Sequence, residues 1–268
     1  MGPLRAGSVE DWAYQYVTST DLGIKLRPPA PPESWTPADE LQPVILERPG
    51  RPQQLEVVDG GHKTPGTQAL REPRFRAQLL HTFLHHELQA AELMCRTLLA
   101  HPTTPMAFRR GLLGICQDEI RHMGLYGEHL ARLGFQFGDF PVNDWFWKRV
   151  RPDTTALQFV ALMGLGFEGA NLDHTQRFAK QFRRAGDEVG AELQERIGAE
   201  EIPHVAFGAH WFEFFSGSPL TFDAWTAALP PPLSPLLLRG KPIQREARER
   251  AGYPASFIDA LIAWRPTD

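Results

Sequence analysis

The chain has 268 residues, of which 42% are hydrophobic, and its formal net charge is −4. A slightly acidic chain is atypical of proteins that bind nucleic acid or anionic membranes through charge, so neither is expected as the main partner. No run of about 18 apolar residues is present that could cross a bilayer. Two cysteines are too few for a disulfide framework, and the N-terminus lacks a basic-then-apolar signal pattern, so the sequence predicts a cytoplasmic protein.

Residues 1–70 are rich in proline and only weakly periodic. The run Arg27–Pro32 cannot lie inside a helix, because proline lacks the amide donor and clashes with the preceding turn. A short helix is predicted near residues 8–18, followed by an extended segment. Trp12 and Trp35 provide apolar anchors, so we predict an N-terminal arm that packs on the rest of the protein rather than a free linker.

Residues 71–216 change character, because their apolar side chains recur at the spacing of four long helices. The first two helices are separated by His101–Pro105 and the last two by Arg184–Asp187, loops short enough for antiparallel neighbours. The longer segment Gly134–Asp153 can cross between the two pairs. The predicted fold class is therefore all-α, a four-helix bundle with one long crossover.

Residues 217–268 are again rich in proline. A charged helix is predicted around residues 243–251, followed by a closing apolar segment, Phe257–Trp264. We expect this C-terminal extension to pack on the bundle. The bundle would thus lie between two irregular, proline-rich arms.

On each of the four predicted helices, the apolar face contains a polar or charged group at a position where leucine would pack. Ionised groups are very costly to bury without compensating charge, and four carboxylates cannot compensate one another. Two divalent cations would balance four carboxylates and leave the imidazoles as neutral ligands. The six candidate metal ligands are Glu87, Glu119, His122, Glu168, Glu201 and His204.

The spacing of these ligands forms a pseudo-repeat. Glu87 precedes Glu119 by 32 residues. Glu168 precedes Glu201 by 33 residues. A histidine follows three residues after each second glutamate, and residues three apart on a helix lie within about 60° of each other. Each Glu-x-x-His pair therefore presents both side chains to one point, which predicts two metal ions with bridging carboxylates.

Six short segments of the chain form recognisable motifs, and four of them contain the candidate ligands. They are Pro49–Pro52, His85–Ala90, Asp118–His122, Phe167–Asp173, Glu201–His204 and Arg245–Gly252. The ligand pattern resembles the ferritin-like di-metal carboxylate superfamily, whose bundles use one Glu on each of two helices and Glu-x-x-His on the other two. The whole set is similar to a bacterial ferritin-like family known as domain of unknown function 455. The resemblance implies a ferritin-like bundle with the six ligands above, while that family's own activity is not established.

The run Asp118–His122 also resembles the second-helix motif of bacterial multicomponent monooxygenases, in which the Asp and the Arg support the metal ligands. The resemblance implies that Asp118 and Arg121 have this role here. Glu200 is a third candidate, because it precedes its glutamate ligand as Asp118 does. Each carboxylate could accept the far N–H of a ligand histidine and fix its tautomer, although Asp118 could equally be an exposed helix charge.

Two further residues of these helices carry expectations. Tyr126 lies one turn beyond His122 and is the candidate catalytic residue, because its hydroxyl could hydrogen-bond a ligand or bound oxygen; core packing is the alternative. Pro203 lies between Glu201 and His204, and proline inside a helix costs about 3 kcal/mol. We therefore predict a local kink or a π-bulge at Pro203.

Two competing interpretations concern other residues. Glu92 is an alternative ligand on the first helix, but it lies about 140° around the helix from Glu87, so both cannot face one site. The run Gly164–Gly169 matches a dinucleotide fingerprint, with Asp187 about 20 residues on, and would favour a nicotinamide-dependent enzyme. That fingerprint needs a preceding strand and a βαβ unit, which the helical pattern does not provide.

These features favour a di-iron or mixed iron/manganese carboxylate protein that activates O2. Carboxylate-rich N/O ligation suits iron or manganese better than zinc. A small organic substrate would be hydroxylated, desaturated or N-oxygenated, with electrons from an external donor because no flavin or nicotinamide site is visible. The alternatives are a ferroxidase or other metal-handling protein, and a tRNA-modifying hydroxylase, since one ferritin-like family hydroxylates a modified tRNA base. The sequence leaves the substrate and the oligomeric state open.

Overall fold

The computed structural model describes residues 4–37, 39–60 and 64–266. Within these ranges the chain forms ten α-helices, a short 3-10 helix and a π-helical segment. The described residues contain no β-strand, and one isolated bridge pairs Val57 with Val142. The all-helical fold class predicted from the sequence is confirmed, and it is consistent with a helical bundle. No helix among the described residues is long and apolar enough to span a membrane.

The chain divides into two compact units, with the boundary between Asp153 and Thr154. The first unit contains α1 (Val9–Thr18), α2 (Leu22–Leu26), a 3-10 turn (Ala69–Arg71), α3 (Pro73–Ala100) and α4 (Met106–Arg132). The second contains α5 (Ala156–Phe159), the π-helical segment (Val160–Phe167), α6 (Glu168–Arg184), α7 (Glu188–Ser216), α8 (Phe222–Ala228), α9 (Arg245–Arg250) and α10 (Ala255–Ala263). The predicted division into an arm, a bundle and an extension at residues 1–70, 71–216 and 217–268 stays a prediction.

The first unit is built on a helical hairpin of α3 and α4, which pack along each other. Pro73 begins α3, a position where its missing amide costs no helical hydrogen bond. The connecting loop lies where the sequence predicted it, because Pro102 and Pro105 interrupt the helical pattern. Short connections of this kind join antiparallel neighbours, so α3 and α4 run in opposite directions.

The N-terminal segment packs on this hairpin through α1. Ser8 caps α1 with its side chain, and the helix predicted near residues 8–18 is confirmed. Buried Arg109 of α4 donates to Glu10 at 2.7 Å. Glu10 also accepts from the amide and the hydroxyl of Thr36, at 3.0 and 2.8 Å. The Glu10 carboxylate therefore joins α1, α4 and the proline-rich segment between α2 and α3.

The second unit is built on α6 and α7, which also pack along each other. The short loop predicted at Arg184–Asp187 is confirmed, since α6 ends at Arg184 and α7 begins at Glu188. Asp187 caps α7 by accepting from the amide of Gly190 at 2.9 Å. This unit thus repeats the helix–loop–helix arrangement of the first.

Two side chains from the C-terminal region hydrogen-bond to the π-helical segment. Trp225 of α8 donates its indole N–H to the carbonyl of Ala161 at 2.8 Å. Tyr253 donates its hydroxyl to the carbonyl of Leu165. A π-turn departs from the α-helical hydrogen-bond pattern, and these two side chains satisfy carbonyls of the wider turns. The segment that leads into Glu168 is therefore held by side chains that are distant in the sequence.

Pro203 lies inside α7, and the chain is α-helical on both sides of it. The π-bulge predicted at this position is therefore wrong, while the predicted bend of the helix axis stays a prediction. Proline removes only one amide donor from the helix. An α-helix can therefore include a proline without the extra residue that a π-bulge contains. The π-turns lie instead at Val160–Phe167. Every residue there is buried and none is polar, so the sequence pattern gives no sign that α-helical turns change to π-helical turns.

Gly164 and Gly208 bring the π-helical segment and α7 into backbone contact. A Cβ added to Gly208 would lie 2.9 Å from the backbone of Gly164, closer than real Cβ atoms approach. Gly208→Ala is therefore expected to lower the free energy of unfolding by about 1–3 kcal/mol, as over-packing does, measured by urea unfolding. Gly114→Ala on α4 is the control, since a Cβ there meets no atom within 4 Å. Equal stability of the two variants would contradict the close contact.

Candidate metal centre

Three of the candidate ligands meet in the first unit, between α3 and α4. Glu87 lies on α3, Glu119 and His122 lie on α4, and the three residues are 6%, 0% and 0% exposed. Each offers a ligand atom, and these atoms lie within 4.8 Å of one another. A buried cluster of carboxylate and imidazole groups of this kind could hold a metal ion.

Glu119 and His122 have the geometry of two ligands on one ion. They lie three residues apart on α4, and Nδ1 of His122 is 3.3 Å from Oε2 of Glu119. Imidazole nitrogen and carboxylate oxygen bind metal ions at about 2.0–2.2 Å, so two ligands at right angles lie about 3 Å apart. The observed separation fits neighbouring ligands, and it also permits a hydrogen bond between the two groups.

A second pair with the same spacing lies on α7 in the second unit. Nδ1 of His204 is 2.9 Å from Oε2 of Glu201, and both residues are buried. Asn171 of α6 donates its side-chain N–H to the other carboxylate oxygen of Glu201 at 3.2 Å. Glu168 is buried at the first position of α6. The second unit therefore repeats the Glu-x-x-His geometry of the first.

Glu92, the alternative ligand on α3, belongs to a different cluster. Its carboxylate accepts from Lys25 at 2.7 Å, from Arg51 at 2.6 and 2.9 Å, and from the Trp147 indole at 2.8 Å. Burial opposes ionisation of Glu92, but the charges of Arg51 and Lys25 outweigh it and hold its pKa below the usual value. Two cations thus neutralise Glu92, which supports Glu87 as the candidate ligand on α3.

Arg51 extends this cluster to the segment that follows α4. It donates to Asp144 at 2.7 Å, and Nε2 of His85 lies 3.4 Å from the same carboxylate. Burial would raise the pKa of Asp144, but nearby His85 and the hydrogen bonds from Arg51 lower it to about 2. Sequence reasoning missed this cluster, although Arg51 and His85 lie in Pro49–Pro52 and His85–Ala90, two segments that are similar to a known family.

The candidate supporting residues are more exposed than the candidate ligands. Arg121 donates to Asp118 at 2.9 Å, and their side chains are 42% and 44% exposed. Arg196 donates to Glu200 at 3.0 Å. The support that these residues give to ligand histidines stays a prediction. Tyr126 is buried on α4, and its catalytic role likewise stays a prediction.

A buried ion pair in the second unit was also missed from the sequence. Arg248 donates to Asp173 at 2.7 Å, and the side chains are 1% and 0% exposed. Asp173 also accepts from the amide of Gln244 at 2.7 Å. The two charged residues lie in Phe167–Asp173 and Arg245–Gly252, two of the segments that are similar to a known family. Nothing in the sequence indicates that these two segments contact each other. This pair ties the C-terminal segment to α6.

The run Gly164–Gly169 lies inside helical structure, partly in the π-helical segment and partly in α6. The part of the chain that is described has no strand before it, so the context of a dinucleotide fingerprint is missing. These glycines serve close packing instead. A Cβ on Gly166 would lie 3.0 Å from Leu238, and one on Gly169 would lie 2.2 Å from the hydroxyl of Tyr253.

Comparisons with known proteins give a family but no activity. A family model described as "Protein of unknown function (DUF455)" matches residues 10–259. An uncharacterized protein of Haemophilus influenzae is 27% identical over 148 residues. That match covers 52% of this chain and 51% of the relative, so the chain spans about half the length of the curated relative it matches. No solved structure gives a significant match.

Proposed function

The chain belongs to the DUF455 family of proteins of unknown function, and we propose that it is a dinuclear metal protein of the ferritin-like type. In this proposal the two buried Glu/His pairs and two further glutamates form one centre. Its six ligands are Glu87, Glu119, His122, Glu168, Glu201 and His204. The two helical hairpins would then supply the four helices of a ferritin-like bundle.

The observation that carries this proposal is the repeated geometry of the two Glu-x-x-His pairs. Nitrogen and oxygen are 3.3 Å apart in one pair and 2.9 Å apart in the other. All four residues are at most 3% exposed. Polar pairs on helices usually face water, whereas both of these pairs lie on the buried side of a long helix. Two such pairs support a binding site for two ions.

The charges of the candidate ligands support the same proposal. Four of the six are carboxylates, and even the most exposed of them, Glu87, is only 6% exposed. Burying ionised carboxylates is costly, and two divalent cations would balance four such charges while both imidazoles stay neutral. Bound metal would therefore stabilise the fold as well as supply chemistry.

The ligand set favours iron or manganese, because carboxylate and imidazole donors suit these ions and no thiolate is included. Six protein ligands for two ions would leave positions open for O2 and for substrate or water. Two ferrous ions held there would supply electrons to O2, so we propose oxidation of a small organic substrate by hydroxylation, desaturation or N-oxygenation. An external donor would return the electrons.

The chain's own residues would orient the ligands and control protons. Asp118 and Glu200 would each accept the N–H of a ligand histidine and fix its tautomer, with Arg121 holding Asp118 in place. Tyr126 is the residue that we assign to hydrogen bonding at the centre. It lies one turn after His122 and is 2% exposed, so a proton held on its hydroxyl would be shielded from bulk water.

Metal binding and O2 consumption test this proposal in that order. The full chain is depleted of metal and offered Fe(II), Mn(II) or Zn(II) separately without oxygen, and bound metal is counted by elemental mass spectrometry. We expect two iron or manganese ions per chain, and we expect iron-loaded protein to consume O2 when a chemical reductant is supplied. A chain that binds none of these metals would overturn the proposal, and bound iron without O2 consumption would overturn its oxidative part.

A further inference from the structure

The two cysteines of the chain lie in contact with each other. Cys95 is on α3 and Cys116 is on α4, 21 residues further along, and their sulfur atoms are 3.4 Å apart. The two residues are 1% and 0% exposed, and both are free thiols. A pair of thiols therefore meets across the helical hairpin of the first unit.

Contact between these two residues would be rare by chance. The chain contains no cysteine besides these two. A buried residue touches about 6–12 others, so a second cysteine placed at random would be its neighbour in roughly 2–5% of cases. Free cysteine packs like a small apolar residue, and the thiol is a weak hydrogen-bond donor. Packing alone therefore does not require cysteine at both positions, and the contact places two thiols where they can react with each other.

The surroundings of the pair restrict which reagents can reach it, because both residues are buried. Burial raises the pKa of the Cys116 thiol well above its usual value, and neighbouring Cys95 adds to this effect. Thiols are much less reactive than thiolates, and bulky reagents cannot reach sulfur atoms this deep in the hairpin. Oxidation of the pair requires a small, uncharged oxidant.

We propose that Cys95 and Cys116 form a redox modification site, at which hydrogen peroxide converts the two thiols into an intramolecular disulfide. One sulfur attacks the peroxide, the O–O bond breaks, and water leaves to give a sulfenic acid. The other sulfur then attacks this oxidised sulfur, the S–O bond breaks, and a second water leaves. Two electrons pass from the two thiols to one peroxide, and a dithiol reductant reverses the change by exchange.

The disulfide would restrain the hairpin that carries three of the candidate ligands. Cys116 lies three residues before Glu119, which is slightly less than one turn of α4. A cross-link here would fix α3 against α4 within about one turn of Glu119. The inference does not depend on bound metal, because the thiols and their contact belong to the chain alone.

The test uses the reduced full chain, treated with hydrogen peroxide and quenched with a thiol-blocking reagent in denaturant. We expect the intact mass to fall by two hydrogen atoms, both thiols to become unreactive, and peptide mapping to link Cys95 to Cys116. Dithiothreitol is expected to restore both thiols. Unchanged thiols, a mass raised by oxygen atoms without the link, or a link between two chains would overturn the inference.

Cys95→Ala is the variant that separates an internal disulfide from oxidation of one cysteine. Cys116 then has no thiol partner, so peroxide is expected to leave a free thiol or an oxygen adduct and no loss of hydrogen mass. The same loss of two hydrogen atoms in this variant would contradict the assignment. If the variant does not fold, the peptide map of the wild-type chain decides the question.

Discussion

Replacing Glu119 or Glu201 with glutamine is expected to weaken metal binding at both Glu/His pairs, not only at the pair that is changed. Glutamine keeps the size of the side chain but removes the negative charge. If carboxylates are shared between two ions in one centre, the binding of each ion would strengthen the binding of the other. We expect metal affinity to fall by roughly 100-fold or more. Mutating residues that only hydrogen-bond to metal ligands already lowers metal affinity by about 10–100-fold. Titration of the metal-free chain with Fe(II) or Mn(II) measures this loss.

The matched controls change an exposed glutamate on the same helix. Glu128→Gln on α4 and Glu192→Gln on α7 make the same chemical change where the side chain is exposed. Both controls are expected to bind two ions with wild-type affinity. A Glu201→Gln chain that loses one ion and keeps the other unchanged would mean two separate sites, and it would contradict the single centre.

Replacing Glu92 with alanine is expected to lower the free energy of unfolding by roughly 3–5 kcal/mol, the range for breaking a buried ion pair from one side. The change leaves Lys25, which is 0% exposed, without its carboxylate partner. Burial lowers the pKa of Lys25, and Glu92 is the main charge that opposes this shift. Lys25 must then lose its proton or pull α2 away from the hairpin, and both cost stability. Urea unfolding of the metal-free chain measures the loss.

Glu195→Ala is the control for this prediction. Glu195 also pairs with an arginine, Arg183, at 2.9 Å, but its side chain is 43% exposed. Exposed ion pairs contribute little to stability, so the unfolding midpoint is expected to stay near that of the wild type. A chain with both Lys25→Met and Glu92→Met is expected to recover part of the loss, because no buried lysine charge is left uncompensated. Similar losses in Glu92→Ala and Glu195→Ala would contradict a stabilising role of the buried cluster.

The helices and their loops could be predicted because their signals are local. Apolar side chains at helical spacing marked α3, α4, α6 and α7, and prolines such as Pro102 and Pro105 marked the loop between the first two. The contact between Glu119 and His122 followed from the same locality, since helix geometry alone brings residues three apart to one face. The sequence therefore predicted the part of the candidate site that lies within one turn of one helix.

Contacts between distant parts of the chain could not be predicted in this way. Lys25 and Glu92 are 67 residues apart, and Arg51 and Glu92 are 41 residues apart. No local pattern marks a lysine that tertiary packing will bury. The same holds for Cys95 and Cys116, which lie in ordinary helical sequence. Such contacts depend on how helices pack, and a single sequence does not carry that information in its periodicity.

Anomalous scattering at the iron absorption edge, from crystals of the iron-loaded chain, tests the central claim most directly. The account predicts two peaks about 3.5–4 Å apart, the usual spacing of two-metal sites. One peak should contact Glu119 and His122, and the other should contact Glu201 and His204. A single peak, two peaks far apart, or peaks that touch none of these side chains would contradict it.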